Sequence, residues 1–197
     1  MLQTKFAAVV FGAALLGSAT VAAPVIAADT YKVDAAHASV YFQINHAKWS
    51  NFLGRFNKVD GTFVLDEDNP GNSSVEIVID AASVDTNHEK RDNDLRSPRF
   101  FNVVEFETIT FKSTSIERKG DTEGTVTGDL TIIGSTRPVT FDFVWNLPGP
   151  NFFNPKATHT GFSAELVIKR SEWGLKTGIP GIGDDVRLFL EIEAIKQ

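Results

Sequence analysis

Apolar and polar residues alternate along short segments of this chain, and this alternation limits the folds that it can adopt. In the segment 139–145 every odd position is apolar: Val139, Phe141, Phe143 and Trp145. A period of two recurs in about eight segments, which Gly, Pro, Asn and Asp separate. This period is typical of antiparallel strands with one buried face. The sequence therefore predicts an all-β domain, and no strand run alternates with long helices as a parallel α/β sheet requires.

About eight strands fit both an up-and-down barrel and a two-layer sandwich, and periodicity does not choose between them. The chain has 16 phenylalanines, of which only Phe6 and Phe11 precede residue 29. One interpretation is a tightly filled core. The other is a barrel whose interior keeps room for one small ligand. Four longer loops, residues 47–54, 86–101, 146–158 and 170–184, interrupt the strands and are where function is expected.

The N-terminal residues have the three-part pattern of a secretory signal peptide. Lys5 gives a basic start, residues 6–16 are apolar, and small residues follow up to Ala28. The apolar run is shorter than the roughly 18–20 residues that a spanning helix needs. We therefore expect residues 1–28 to be a signal peptide, cleaved near Ala28 or at Ala27, and residues 29–197 to be one exported, periplasmic domain.

Charge and sulfur content exclude some classes of partner and chemistry. The net charge is −6 at pH 7 and becomes about −7 once Lys5 is removed, so nucleic acid is not an expected partner. The chain has no Cys and one Met. It therefore has neither a disulfide nor a thiol nucleophile, which is consistent with a periplasmic protein that relies on its core.

The catalytic motifs that segments of the sequence resemble are incomplete. The segment "HEKRD" at 88–92 resembles the start of a zinc-protease motif, but Asp92 stands where the second His is required. His37 and His46 would lie roughly 30 Å apart in a continuous strand, so they could not share one metal ion. We therefore predict no catalytic residue, no metal site and no cofactor.

The segment "HEKRDNDLRSPRFF" at 88–101 is the most charged part of the chain. Its residues predict a short helix over 88–97, capped by Asn87 and ended by Pro98. One interpretation is a solvated helix with ion pairs such as Arg96 with Asp94.

The other interpretation is a cap over one end of a barrel. Phe100 and Phe101 follow the predicted helix at once and need an apolar environment. Arg91 and Arg96 would then lie where they could contact an anionic head group.

Six segments, in this order and spacing, resemble the YceI-like family of secreted bacterial proteins. They are "YKVDAAHASVYFQINH" (31–46), "DGTF" (60–63), "SVDTNHEKRDNDLRSPRFFN" (83–102), "TITF" (108–111), "TGDLTIIGSTRPV" (127–139) and "IKRSEWGL" (168–175). The resemblance covers essentially the whole mature domain. It implies a lipocalin-like antiparallel β-barrel with a short capping helix, and periplasmic carriage of a polyisoprenoid or a similar long-chain lipid.

The favoured hypothesis is a non-enzymatic protein that binds, transports or stores such a lipid, either a polyisoprenoid or an isoprenoid quinone. The expected tunnel lining is Phe42, Ile44, Phe63, Ile77, Phe111, Phe143 and Trp145, with Phe100 and Phe101 as the lid. The expected head-group contacts are His37, His46, Arg91 and Arg96.

Two other hypotheses remain open. In the first, a quinone-linked redox or stress-response protein acts on the bound isoprenoid, with His37 or His46 as a proton relay. In the second, the barrel is filled and has no ligand. Partner hypotheses are the lipid itself, transient contact with an inner-membrane protein, and a homodimer.

Overall fold

The computed structural model describes residues 28–197. The expected signal peptide, residues 1–28, therefore falls almost wholly outside the described residues, as does cleavage at Ala27. Within the described residues, no helix is both long enough and apolar enough to span a membrane.

Across residues 28–197 the chain forms eleven strands, one α-helix and three 3₁₀ helices. The strands are β1 Asp29–Val33, β2 Ser39–His46, β3 Ser50–Phe56, β4 Val59–Leu65, β5 Ser74–Asp80, β6 Val84–Asp85, β7 Thr108–Arg118, β8 Glu123–Ile132, β9 Ser135–Pro150, β10 Thr158–Lys169 and β11 Ile182–Lys196. The helix α1 is Glu89–Arg96, and the 3₁₀ helices are Pro70–Asn72, Ala81–Ser83 and Arg170–Trp173.

Eight of these strands close into an antiparallel barrel. Their order is β1-β4-β5-β7-β8-β9-β10-β11, and β11 pairs back onto β1. In β8 the even positions from Gly124 to Leu130 are buried and the intervening positions are less so, as expected when one face is turned inward. The predicted all-β barrel of about eight strands with a short helix is confirmed.

The remaining three strands extend one part of the wall. β1 and β2 pair end to end with the same edge of β11, β1 at residues 194–196 and β2 at residues 182–191. β3 pairs with β2, and the two-residue β6 pairs with β3. The chain then enters α1, so the helix lies beside β3 at one end of the barrel.

Antiparallel connectivity gives the barrel two distinct ends. The helix end contains α1, the β2–β3 turn and the start of β11. The hairpin end contains the β4–β5 loop and the β7–β8 and β9–β10 hairpins. Interior side chains such as Val84, Ala194 and Tyr31 are almost fully buried and form part of the core.

The prediction of a loop over residues 47–54 was wrong, because most of this segment is β3. Two features explain why the residue pattern did not predict β3. Leu53 faces outward and is 56% exposed, while Gly54 faces inward, so the period of two is broken. The preceding hairpin turn places Ala47 and Lys48 at φ of 52° and 64°, a conformation for which Gly or Asn is the usual signal.

Candidate ligand-binding cavity

The barrel encloses an apolar cavity of about 490 Å³. Its wall includes side chains from the helix end, such as His46 and Phe52, and from the hairpin end, such as Ile116 and Arg118. All nine residues expected as tunnel lining or lid lie on this wall: Phe42, Ile44, Phe63, Ile77, Phe100, Phe101, Phe111, Phe143 and Trp145. The structure thus brings them together around one space, and their contact with a ligand stays a prediction.

Many inward-facing side chains are only half-buried, although they belong to the barrel interior. Phe42, Ile77, Phe111 and Phe143 all have this intermediate exposure. A close-packed interior would leave these side chains without accessible surface. The exposure therefore belongs to the cavity itself, and the phenylalanines do not simply fill a core.

The tips of phenylalanine rings lie over glycines of neighbouring strands. A side-chain carbon at Gly54 would overlap the ring of Phe42, its cross-strand partner. The same relation holds between Gly124 and Phe143, which are also paired across strands. Because these rings occupy space beside the wall that a side chain would otherwise take, they leave the centre of the barrel open.

Helix α1 and the turn after it cover the helix end of the cavity. The N-cap of the helix is His88, whose Nδ1 accepts from the backbone N–H of Arg91 at 3.3 Å. The predicted cap Asn87 was wrong, because Asn87 lies one position earlier with φ of 58° and donates its backbone N–H to Asp85 Oδ1 at 2.8 Å. The helix ends at Arg96 with Ser97 as its C-cap, so it stops before Pro98, as predicted.

Two charged residues of α1 point into the protein. Asp92 is 6% exposed and accepts hydrogen bonds from the backbone N–H of Thr86, at 2.9 Å, and from the Thr86 hydroxyl. Arg91 donates to Thr86 Oγ1 and to Thr86 O, both at 2.8 Å. Its guanidinium carbon lies 4.0 Å from the ring centroid of Phe52. The interpretation of a wholly solvated helix is therefore wrong for these two side chains, because both join the helix to Thr86 and Arg91 also contacts β3.

The rings that follow the helix pack inward. The Phe101 ring lies 5.5 Å from the buried ring of Phe56 in an edge-to-face arrangement. Phe100 also lines the cavity and is half-buried. Phe101 therefore contributes to the core as well as to the cover of the cavity.

The four expected head-group contacts divide into two pairs. His46 and Arg91 line the cavity at its helix end. Arg96 is outside the lining and donates to the carbonyls of Ala82 and Val84, each at 2.8 Å, which tie the helix to the preceding segment. The expected ion pair of Arg96 with Asp94 is also wrong, because Asp94 pairs with Arg99 at 3.0 Å.

His37 lies in the exposed turn between β1 and β2, away from the cavity. Its Nδ1 lies 2.7 Å from Asp34 Oδ2. This hydrogen bond raises the pKa of His37 and lowers the pKa of Asp34. Asp34, His37 and Glu193 also present ligand atoms within 4.8 Å of one another, so they are the group in the described residues with spacing suited to a metal ion.

Sequence reasoning missed two arginines on the cavity wall. At the hairpin end, the guanidinium carbon of Arg118 lies 5.2 Å from the ring centroid of Trp145. A β-bulge between Ser113 and Ser115 reverses which positions of β7 face inward, and the only trace of it in the sequence of β7 is the change from odd apolar positions, Ile109 and Phe111, to the even position Ile116. Arg170 is 5% exposed, and it donates to the carbonyls of Gly183 and Ile182 at 2.8 and 3.0 Å.

A family model described as a YceI-like domain matches residues 31–194. The chain belongs to the YceI-like family. Its YceI-like relatives include Protein YceI of Escherichia coli O157:H7, 39% identical over 199 residues that cover 100% of this chain and 97% of the relative. Protein YceI of Salmonella newport (strain SL254) is 40% identical over 172 residues, which cover 86% of this chain and 88% of the relative.

Solved structures share the YceI-like barrel. The Campylobacter jejuni YceI protein matches with a TM-score of 0.68 and 27% identity, covering 78% of this chain and 90% of that chain. Burkholderia cenocepacia BcnA gives a TM-score of 0.73 at 24% identity, covering 82% and 98%. A polyisoprenoid binding domain from Saccharophagus degradans gives 0.64 at 16% identity, covering 85% and 98%. The last two likenesses show the fold alone.

Proposed function

We propose that this protein binds a single long-chain amphipathic lipid, a polyisoprenoid or an isoprenoid quinone, inside the barrel and carries or stores it without catalysing a reaction. The observation that carries this proposal is the apolar cavity of about 490 Å³ inside the barrel. Ligand pockets typically occupy roughly 300–1,000 Å³, whereas protein interiors without a ligand are close-packed. A space of this size and polarity is suited to a guest molecule.

The shape of the cavity favours a long chain over a compact molecule. On β7 alone its wall runs from Ile109 to Arg118, which corresponds to about 30 Å of extended strand. A chain that buries on the order of 500 Å² of apolar surface would gain roughly 12 kcal/mol. Lost motional freedom offsets a large part of that gain. Affinity would then depend mainly on chain length.

The charged side chains of the wall support an amphipathic ligand. Arg91 lies at the helix end and Arg118 at the hairpin end, whereas the strands between them contribute mostly apolar side chains. Both guanidinium groups already contact an aromatic ring and backbone oxygens. A head group would therefore meet a prearranged cation at either end, beside the lining carboxylates Asp94 at the helix end and Asp66 and Glu67 at the hairpin end, with modest selectivity for its identity.

The ligand class and the compartment rest on further support. The chain is a YceI-like domain, and one domain with this fold is named for polyisoprenoid binding. The pattern of residues 1–28 favours export, so we propose that the protein acts in the periplasm.

A chain-length series tests the proposal. Delipidated protein would be titrated with prenols and prenyl quinones of increasing length and with two different head groups. We expect affinity to rise with each added isoprene unit and to change little between head groups, because burial of the chain supplies the free energy. Affinity that is independent of chain length, or absent for all of them, would contradict the proposal.

The redox alternative keeps one supporting residue. His46 lies on the cavity wall, a position from which it could relay a proton to a bound quinone. His37 lies outside the cavity. Under the carrier proposal His46→Ala leaves lipid binding intact. If this substitution abolishes a quinone-dependent reaction while binding persists, the redox function is correct instead.

A further inference from the structure

The β9–β10 hairpin carries two neighbouring aromatic rings that nothing in the described chain covers. Phe152 and Phe153 are 90% and 91% exposed. Their ring centroids are 5.2 Å apart and perpendicular, so the rings contact each other. No other aromatic side chain in residues 28–197 is as exposed. We call residues 150–157 the hairpin tip.

Backbone hydrogen bonds hold the hairpin tip in shape without help from the two rings. The backbone N–H of Asn151 donates to Ala157 O at 2.9 Å, and that of Ala157 donates to Asn154 O at 2.9 Å. The side-chain oxygen of Asn151 accepts from the backbone N–H groups of Phe153 and Asn154 at 2.7 and 2.9 Å. The rings are therefore presented on an ordered loop, and no packing role accounts for them.

The hairpin tip stands beyond the rim of the cavity. β9 leaves the cavity wall at Trp145 and continues to Pro150, about 17 Å further along the strand. Pairing of β9 with β8 stops at Val144, so the last part of β9 pairs with β10 alone. The tip is thus at the same end of the barrel as Arg118, which lines the cavity.

We propose that the hairpin tip is a membrane anchor, in which Phe152 and Phe153 insert into the interfacial layer of a lipid bilayer and turn the hairpin end of the cavity toward it. Phenylalanine side chains insert at the boundary between head groups and acyl chains because their apolar rings leave water there. The tip carries a single charge, on Lys156, so insertion of the tip brings little charge to the bilayer.

Charge around the tip indicates the kind of lipid surface. The β4–β5 loop, at the same end of the barrel but across it from β9 and β10, contains Asp66, Glu67 and Asp68, and the whole chain has a net charge of −6. Attraction to anionic lipids would therefore be weak, and insertion of the rings would supply the binding. The proposed lipid carriage explains why the protein would contact a membrane. Vesicle binding by the tip does not, however, require a lipid in the cavity.

Vesicle flotation tests the anchor. The purified protein is mixed with phosphatidylcholine–phosphatidylethanolamine vesicles that contain no isoprenoid. We expect the wild-type protein to float with the vesicles. The partition coefficient of the double variant Phe152→Ser/Phe153→Ser should be at least about tenfold lower, since this variant lacks the inserted apolar surface. Raising the salt from about 0.1 M to about 1 M should leave wild-type flotation unchanged.

Trp49 provides the matched control. It is 83% exposed in the β2–β3 turn, at the opposite end of the barrel. Trp49→Ser should float like the wild type, and the double variant should keep the wild-type unfolding midpoint because the two rings that it lacks are almost fully exposed.

Four results would overturn the anchor proposal. They are a wild-type protein that does not float, a double variant that floats normally, loss of flotation in Trp49→Ser, and a tip-dependent dimer in solution without vesicles. Isoprenoid binding by the double variant distinguishes failure of the anchor proposal from failure of the carrier function. If the cavity binds isoprenoid but the tip does not bind vesicles, only the anchor is wrong.

Discussion

Asp92 is a buried carboxylate on a helix whose other residues are exposed or half-exposed. It accepts from the backbone N–H and the hydroxyl of Thr86, and Thr86 in turn accepts from Arg91. These three residues connect α1 to the segment before it. The charge at position 92 therefore holds the cover of the barrel in place.

The first prediction concerns this carboxylate. Asp92→Ala should lower the free energy of unfolding by about 2–3 kcal/mol, because it leaves the buried donors of Thr86 without an acceptor. Urea denaturation measures the effect. Glu89→Ala on the same helix removes an exposed carboxylate and should cost less than about 0.5 kcal/mol. Equal losses in the two variants would show that the Asp92 hydrogen bonds do not stabilise the fold.

The second prediction concerns the pair of His37 and Asp34. NMR titration of the His37 ring should give a pKa above the ordinary value of about 6.5, and Asp34→Asn should return it toward that value. A His37 pKa that is unchanged by Asp34→Asn would contradict the hydrogen bond.

The same pair sets a pH window for its contribution to stability. The raised pKa of His37 means that this contribution is lost as pH rises through that pKa. The lowered pKa of Asp34 means that it is also lost as pH falls through the carboxyl's own pKa.

At the scale of elements, paired strands keep the cavity open by matching a ring on one strand with a glycine on the next. Phe42 on β2 covers Gly54 on β3, and Phe143 on β9 covers Gly124 on β8. Because glycine has no side chain, the ring of the paired phenylalanine occupies the space beside the wall that a side chain would take. The free volume is therefore a property of strand pairs and of their register.

The third prediction tests this arrangement. Gly54→Ala should push the Phe42 ring toward the cavity, because the new methyl group overlaps it. We expect a stability loss of about 1–3 kcal/mol from overpacking. We also expect isoprenoid affinity to fall about fivefold, as roughly 40 Å² of contact is lost.

Gly71→Ala is the control for this variant, since a methyl group at that position meets nothing within 4 Å. Calorimetric titration and thermal unfolding measure the two effects. If Gly54→Ala binds isoprenoid as tightly as Gly71→Ala does, the ring does not limit the cavity.

At the scale of the whole molecule, the sequence predicted the barrel because alternation is a local signal. The alternation in segments such as 139–145 offers two faces for each strand and does not by itself say which one is inward. The structure places Phe143 and Trp145 with Phe42 and Phe111 on the wall of the cavity, and their contact with a ligand stays a prediction.

Features that depend on distant contacts could not be predicted in this way. β3 was missed because its outward Leu53 and inward Gly54 invert the usual pattern. Arg118 reached the cavity through a β-bulge, and Arg96 turned to backbone carbonyls instead of the cavity. Each outcome depends on a neighbouring strand or loop whose position the local sequence does not encode.

Native mass spectrometry shows whether the barrel carries a long-chain isoprenoid. The protein would be purified from its natural compartment without detergent, and whatever it carries would be extracted into solvent and identified. We predict a stoichiometric mass adduct that extracts as a polyisoprenoid or an isoprenoid quinone. A protein that is free of adduct and also refuses added isoprenoids would contradict the account.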